Sequence, residues 1–248
     1  MANWSDPRGP ATAYDMGGAA TTAASDAGLR AHMLKTYNYM ASGVLLSGIV
    51  AFLFAQGGVN SLAAQYIIAG GPMAWIIKLA PLGFILVLSF GINRLSTTAA
   101  QALFWAFAVV MGLSLSTIFL RYTGESIATS FFGTAAAFAG LSLYGYTTKR
   151  NLSGFGTFLL MGLIGIIVAS LLNVFIFQSS AMMMAISALG ILVFAGLTAY
   201  DTQMIKAWYY EVAGTDFAGK AVIMGALNLY LDFVNMFLMI LNLFGSRE

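Results

Sequence analysis

Seven runs of about twenty apolar residues, joined by connections too short to hold a domain, fill nearly all of this 248-residue chain. They cover residues 33–55, 75–93, 98–120, 127–147, 155–177, 182–205 and 221–244. Each has the length a helix needs to cross a hydrocarbon core ~30 Å thick. In lipid, a segment must satisfy its own backbone donors and acceptors, which leaves helices or closed barrels, and runs this long and apolar form helices. Composition agrees: 60% of residues are hydrophobic and 8% charged, far below the roughly 25% a water-facing domain needs. The expected fold is an all-α membrane protein, a seven-transmembrane-helix bundle over residues 30–248. Residues 1–29, rich in Gly, Ala, Ser, Thr and Asp with Pro7 and Pro10, have no apolar periodicity and read as a disordered polar tail. They lack the apolar core of a secretory signal, so the first span reads as an uncleaved anchor.

Lysine and arginine collect on the cytoplasmic side of such bundles. An inward N-terminus places Arg8, Arg30, Lys35, Arg94, Lys149, Arg150, Lys206 and Lys220 inside, and only Lys78, Arg121 and Arg247 outside. That topology is expected unless the last span dips in and returns. Small residues at close spacing, such as Gly43 with Ser47, Ala136 with Gly140, and Gly162 with Gly165, suit close helix approach. Pro81 should kink the second span.

Two absences narrow the chemistry. There is no cysteine, and His32 is the only histidine. Thiolate metal sites, cysteine nucleophiles and a membrane-embedded Ser-His-Asp triad are therefore excluded, and no tightly bound cofactor is expected. A net charge of +2 without basic runs gives nucleic acid nothing to bind.

Of nine acidic residues, only Asp201 and Asp232 fall inside apolar runs. An aspartate at membrane depth costs on the order of 2.5–3.5 kcal/mol, so two of them point to function. Asn228, Asp232, Asn235 and Asn242 recur at helical spacing and share one face, which should look into the bundle or a wet cavity. Thr198, Asp201 and Ile205 share a face of the preceding span, with Tyr200 beside them, and Asp201 should lie about one turn from the cytoplasmic end. If the two faces meet, the carboxylates can share a proton. Protonated, they clasp two helices together; deprotonated, they repel each other and offer calcium-type oxygen ligands. Two carboxylates are too few for a tight calcium cage, so binding at Asp201 and Asp232 would be transient. Arg94 reads either as a topology anchor or as a counter-ion for Asp201. An aspartyl protease could also use two such carboxylates. The second, however, stands in Leu229-Tyr-Leu-Asp232 without the glycines such enzymes carry, and no proline follows Pro81; no enzymatic activity is expected.

Three stretches carry a family likeness. They are Gly145-Tyr-Thr-Thr-Lys-Arg-Asn-Leu-Ser-Gly154, Ala199-Tyr-Asp-Thr-Gln-Met-Ile-Lys206 and Leu229-Tyr-Leu-Asp-Phe-Val-Asn235, supported by Gly112-Leu-Ser-Leu-Ser-Thr117. Together they resemble the bacterial branch of the Bax inhibitor family. The resemblance implies a bundle with the last helix central and a pH-sensitive calcium leak gated by an aspartate pair, which Asp201 and Asp232 match. It also implies an arginine partner for the first aspartate, in the region of Arg94, and a bacterial inner membrane. The alternative it allows is a regulator without transport that binds a membrane quality-control protease or a cell-death or stress factor.

Overall fold

A computed structural model describes the backbone of residues 11–247 and the side chains of residues 25–247. Seven helices follow one another: α1 (Ala11–Ala55), α2 (Pro72–Gly91), α3 (Thr97–Leu115), α4 (Gly124–Thr147), α5 (Ser153–Leu172), α6 (Ser180–Val212) and α7 (Ala218–Phe244). A 3₁₀ turn over Ser116–Leu120 prolongs α3, and a π turn over Asn173–Phe177 prolongs α5. All seven are long and apolar enough to cross a membrane. Their bounds fall within a few residues of the apolar runs, except in α1 and α6, which run on past the membrane pattern. The helix of α2 continues unbroken through Pro81.

The tail expected over residues 1–29 is cut short by α1. Residues 1–10 lie outside the described residues, and the chain is already helical at Ala11. Alanine, frequent over residues 11–27, is the strongest helix former and needs no apolar period to act. From Ser25 the helix is packed. The Tyr209 hydroxyl donates to the Ser25 carbonyl at 3.3 Å, Leu29 is buried, and a Cβ on Gly28 would strike the Tyr209 hydroxyl.

Polar caps set the turns. Ser96, Thr123 and Ser179 each accept a backbone N–H in the first turn of the helix that follows, the usual role of an N-cap hydroxyl. Asn173 and Ser179 bond reciprocally across the α5–α6 turn at 2.9 and 3.1 Å, where Gln178 holds a left-handed conformation.

The bundle has two ends. At one, Gly219 packs on Thr97 and Gln203 bonds the α4–α5 turn, bringing that turn to α6 and the α2–α3 turn to the start of α7. At the other, Tyr122 and Arg247 form an antiparallel bridge, and Thr123 donates to the Ser246 carbonyl at 3.2 Å. Ser246 and Arg247 thus sit on the α3–α4 turn, opposite the end where α7 begins. A helix of 27 residues is about 40 Å long, so α7 traverses the bundle and does not turn back.

α7 is also the most buried span, at 61% against at most 33% for the others. It packs against α1, α3, α4 and α6. Tyr230, fully buried on α7, meets Phe104 and Phe107 of α3 edge-on, while Phe233 meets Phe131 and Phe138 of α4.

Candidate functional site

Asp201 and Asp232 face each other across the antiparallel seam of α6 and α7. Glycine sets that seam: a Cβ added at Gly225 would come within 3.0 Å of Ile205 Cγ1, and one added at Gly190 within 3.0 Å of the Met239 sulfur. Between these two contacts the carboxyl groups come within hydrogen-bonding reach of each other. Two carboxyl oxygens in such contact need one proton between them, since ionised carboxylates only accept. Asp232 is buried, and its Oδ2 has no hydrogen-bond partner among the described residues; Asp201 is half-buried. Helix α6 extends to Val212, so Asp201 lies three turns from its end, yet only five residues, about 8 Å, from Lys206.

Around the pair glycines bring the helices close together. A Cβ at Gly145 of α4 would strike the Ala199 carbonyl of α6, and one at Gly156 of α5 would enter the Tyr200 ring. Thr202 is fully buried, with its hydroxyl 3.3 Å from that of Tyr37 on α1. Gln203 accepts from the Leu152 N–H and donates to the Arg150 carbonyl, both at 2.8 Å. The result is a cleft of about 400 Å³ bounded by Lys149, Arg150, Tyr200 and Gln203, which opens from the basic end toward the residue preceding Asp201.

The chain matches the family model described as "Inhibitor of apoptosis-promoting Bax1" over residues 29–248. It belongs to that family. It is 45% identical over 225 residues to the inner membrane protein YbhL of Escherichia coli K12, covering 90% of this chain and 94% of that one. It is 45% identical over 232 residues to a protein of Caulobacter vibrioides, with 90% and 91% covered. A Deinococcus radiodurans protein is 40% identical over 220 residues, with 89% and 92% covered. The chain is thus a multi-pass membrane protein of the Bax inhibitor family.

In this family member the other expected residues are placed less simply. Arg94 lies exposed in the α2–α3 turn. That turn is level with Gly219, and Asp232 is thirteen residues, about 20 Å, further along α7, beyond the reach of an arginine side chain. Arg94 is therefore not a counter-ion for Asp201 in this conformation, where the aspartate's partner is Asp232. The asparagine stripe is unevenly buried. Asp232 is buried, but Asn228, Asn235 and Asn242 are only partly buried. Asn235 spends a donor on its own helix, bonding the Leu231 carbonyl at 2.8 Å, and Asn242 accepts from Arg247 at 3.3 Å.

Sequence reasoning missed a second polar node. Ser47 of α1 is 2.7 Å from the Tyr230 hydroxyl and donates to the Ala108 carbonyl of α3 at 2.6 Å, tying three helices together. The one available signal was Gly43 paired with Ser47, and Gly43 indeed packs on Phe104 and Tyr230. Gly162 meets Val193 in the same manner, whereas Gly140 and Gly165 face open space, so two of the four glycines in those pairs lie away from any helix contact.

Proposed function

We propose that this protein is a pH-sensitive ion leak of the membrane, with calcium as the carried ion and the Asp201–Asp232 pair as its gate. The observation that carries the reading is the pair of carboxyl groups brought within hydrogen-bonding reach of each other between α6 and α7, inside the apolar bundle. While one proton is shared, the pair holds the two helices together. Loss of that proton leaves two like charges in contact within a low-dielectric interior, which drives the helices apart and offers oxygens to a cation. Calcium takes six to eight oxygen ligands, so two carboxylates with water complete only a transient site, which suits passage better than retention. The half-exposed Asn228 and Asn235 supply amide oxygens beside the pair. Tyr200 and the cleft beneath it form the route to the basic end, which by the positive-inside rule is cytoplasmic and holds the N-terminus. Arg94 acts there as a topology anchor. The likeness to an inner membrane protein of Escherichia coli supports a bacterial inner membrane as the location. No step of this reading involves catalysis or a bound cofactor.

Purified protein in liposomes loaded with a calcium indicator tests the proposal. Calcium entry should rise as pH rises and vanish in Asp201→Asn and Asp232→Asn. Flux equal to that of empty vesicles at every pH would instead favour a regulator that binds a membrane protease or a stress factor. That second reading draws on the family description, which concerns inhibition of another protein.

A further inference from the structure

Helices α1 and α4 do not close on each other. Between them runs a groove of about 1160 Å³, open to the side of the bundle and floored by Phe138 of α4 and Phe233 of α7. It follows α1 from Arg30 to Leu53, about 35 Å, close to the thickness of a bilayer core. Its polarity is graded. Arg30, Tyr37, Tyr146 and Ser142 line the basic end, and every residue lining it beyond them is apolar or glycine. No carboxylate lines it. Lys206 adds a second cation at that end, bonded to the Tyr146 carbonyl at 3.1 Å and lying 5.0 Å over the Tyr146 ring.

Ser142 is the informative residue. It is only 5% exposed, it lines the groove, and its Oγ has no hydrogen-bond partner among the described residues. It lies five residues from the end of α4, about 8 Å inward of Thr147. A buried hydroxyl without a partner costs free energy unless something bound there supplies one. We propose that the groove is a binding site for an anionic phospholipid: phosphate at Arg30, an ester carbonyl accepting from Ser142 Oγ, and an acyl chain lying along the apolar length. The order charge, hydrogen-bond donor, hydrocarbon is the order of such a lipid. This inference is independent of whether the protein conducts ions.

Native mass spectrometry of the full chain, released from nanodiscs of equal phosphatidylglycerol and phosphatidylcholine, tests it. The wild type should retain phosphatidylglycerol in preference, one molecule per chain. Arg30→Gln should lower that retention roughly tenfold, the loss of one charge-assisted contact. Gly48→Leu fills the apolar stretch and should abolish retention. A Cβ at Gly48 meets nothing within 4 Å, so this variant has space to fold, and an unchanged melting temperature would verify it. Ser142→Ala should weaken retention without lowering the melting temperature, as removing an unpartnered hydroxyl breaks no protein contact. Equal retention of the two lipids would mean annular lipid only and overturn the proposal. So would undiminished retention in a folded Gly48→Leu protein, or a second polypeptide bound in place of lipid.

Discussion

In the proposed gate, two carboxyl groups within hydrogen-bonding reach set the sign of the pH response. The clasp is present while the pair keeps its shared proton and is lost as rising pH removes it, so the proposed leak opens upward in pH. An asparagine at position 232 can still donate to Asp201 but cannot complete a pair of charges, and its expected result is a closed protein with no pH dependence, read as calcium flux between pH 5 and 8. The Ser47 node yields a second prediction by the same accounting. Ser47→Ala strands the fully buried Tyr230 hydroxyl and should cost about 1–3 kcal/mol, whereas Tyr230→Phe leaves Ser47 its carbonyl partners and should cost about 1 kcal/mol or less. Thermal unfolding in detergent should therefore rank Ser47→Ala below Tyr230→Phe; the reverse order would mean that the node does not hold the helices. The aspartates were legible in the sequence because acids are so costly in apolar runs that two of them stand out. Ser47 and Tyr230 were not, because serine and tyrosine are common in membrane helices and neither announces its partner.

Helices themselves were the most legible feature, since a bilayer imposes one length on every span. Where the chain leaves the bilayer that constraint lapses. The extension of α1 back to Ala11 rests on alanine propensity, and that of α6 to Val212 carries no apolar period to read. Which glycine meets which helix was equally hidden, because spacing shows that a close approach is possible and not that a neighbour is there. The contrast within α4 makes this testable. Gly145 touches the Ala199 carbonyl two residues from Asp201, while a Cβ at Gly140 meets nothing within 4 Å. Gly145→Ala should separate α4 from α6, lower the melting temperature by several degrees and disturb the proposed gate. Gly140→Ala, one to two turns earlier on the same helix, should be neutral or slightly stabilising, by up to about 1 kcal/mol. Equal effects would show that helix propensity, and not contact, governs both sites.

At the scale of the whole molecule the alternation of seven spans sorts every connection to one of two ends, and the side-chain contacts make that sorting independent of charge counting. Gln203 ties the Lys149–Arg150 turn to α6 at one end; the Tyr122–Arg247 bridge ties the C-terminal residues to the α3–α4 turn at the other. If the basic end is cytoplasmic, Asn151 and Asp216 lie inside while Glu125 and Ser246 lie outside, and all four are exposed. The chain has no cysteine, so a single cysteine placed at any of these positions is the only thiol and labelling carries no background. In intact cells stripped of an outer barrier, a membrane-impermeant maleimide should modify Glu125→Cys and Ser246→Cys, and reach Asn151→Cys and Asp216→Cys only after permeabilisation. Inversion of all four results would reverse the orientation but keep the bundle. Ser246→Cys behaving like Asn151→Cys would be more serious, for it would place both termini of α7 on one side and remove the antiparallel seam on which the aspartate pair depends.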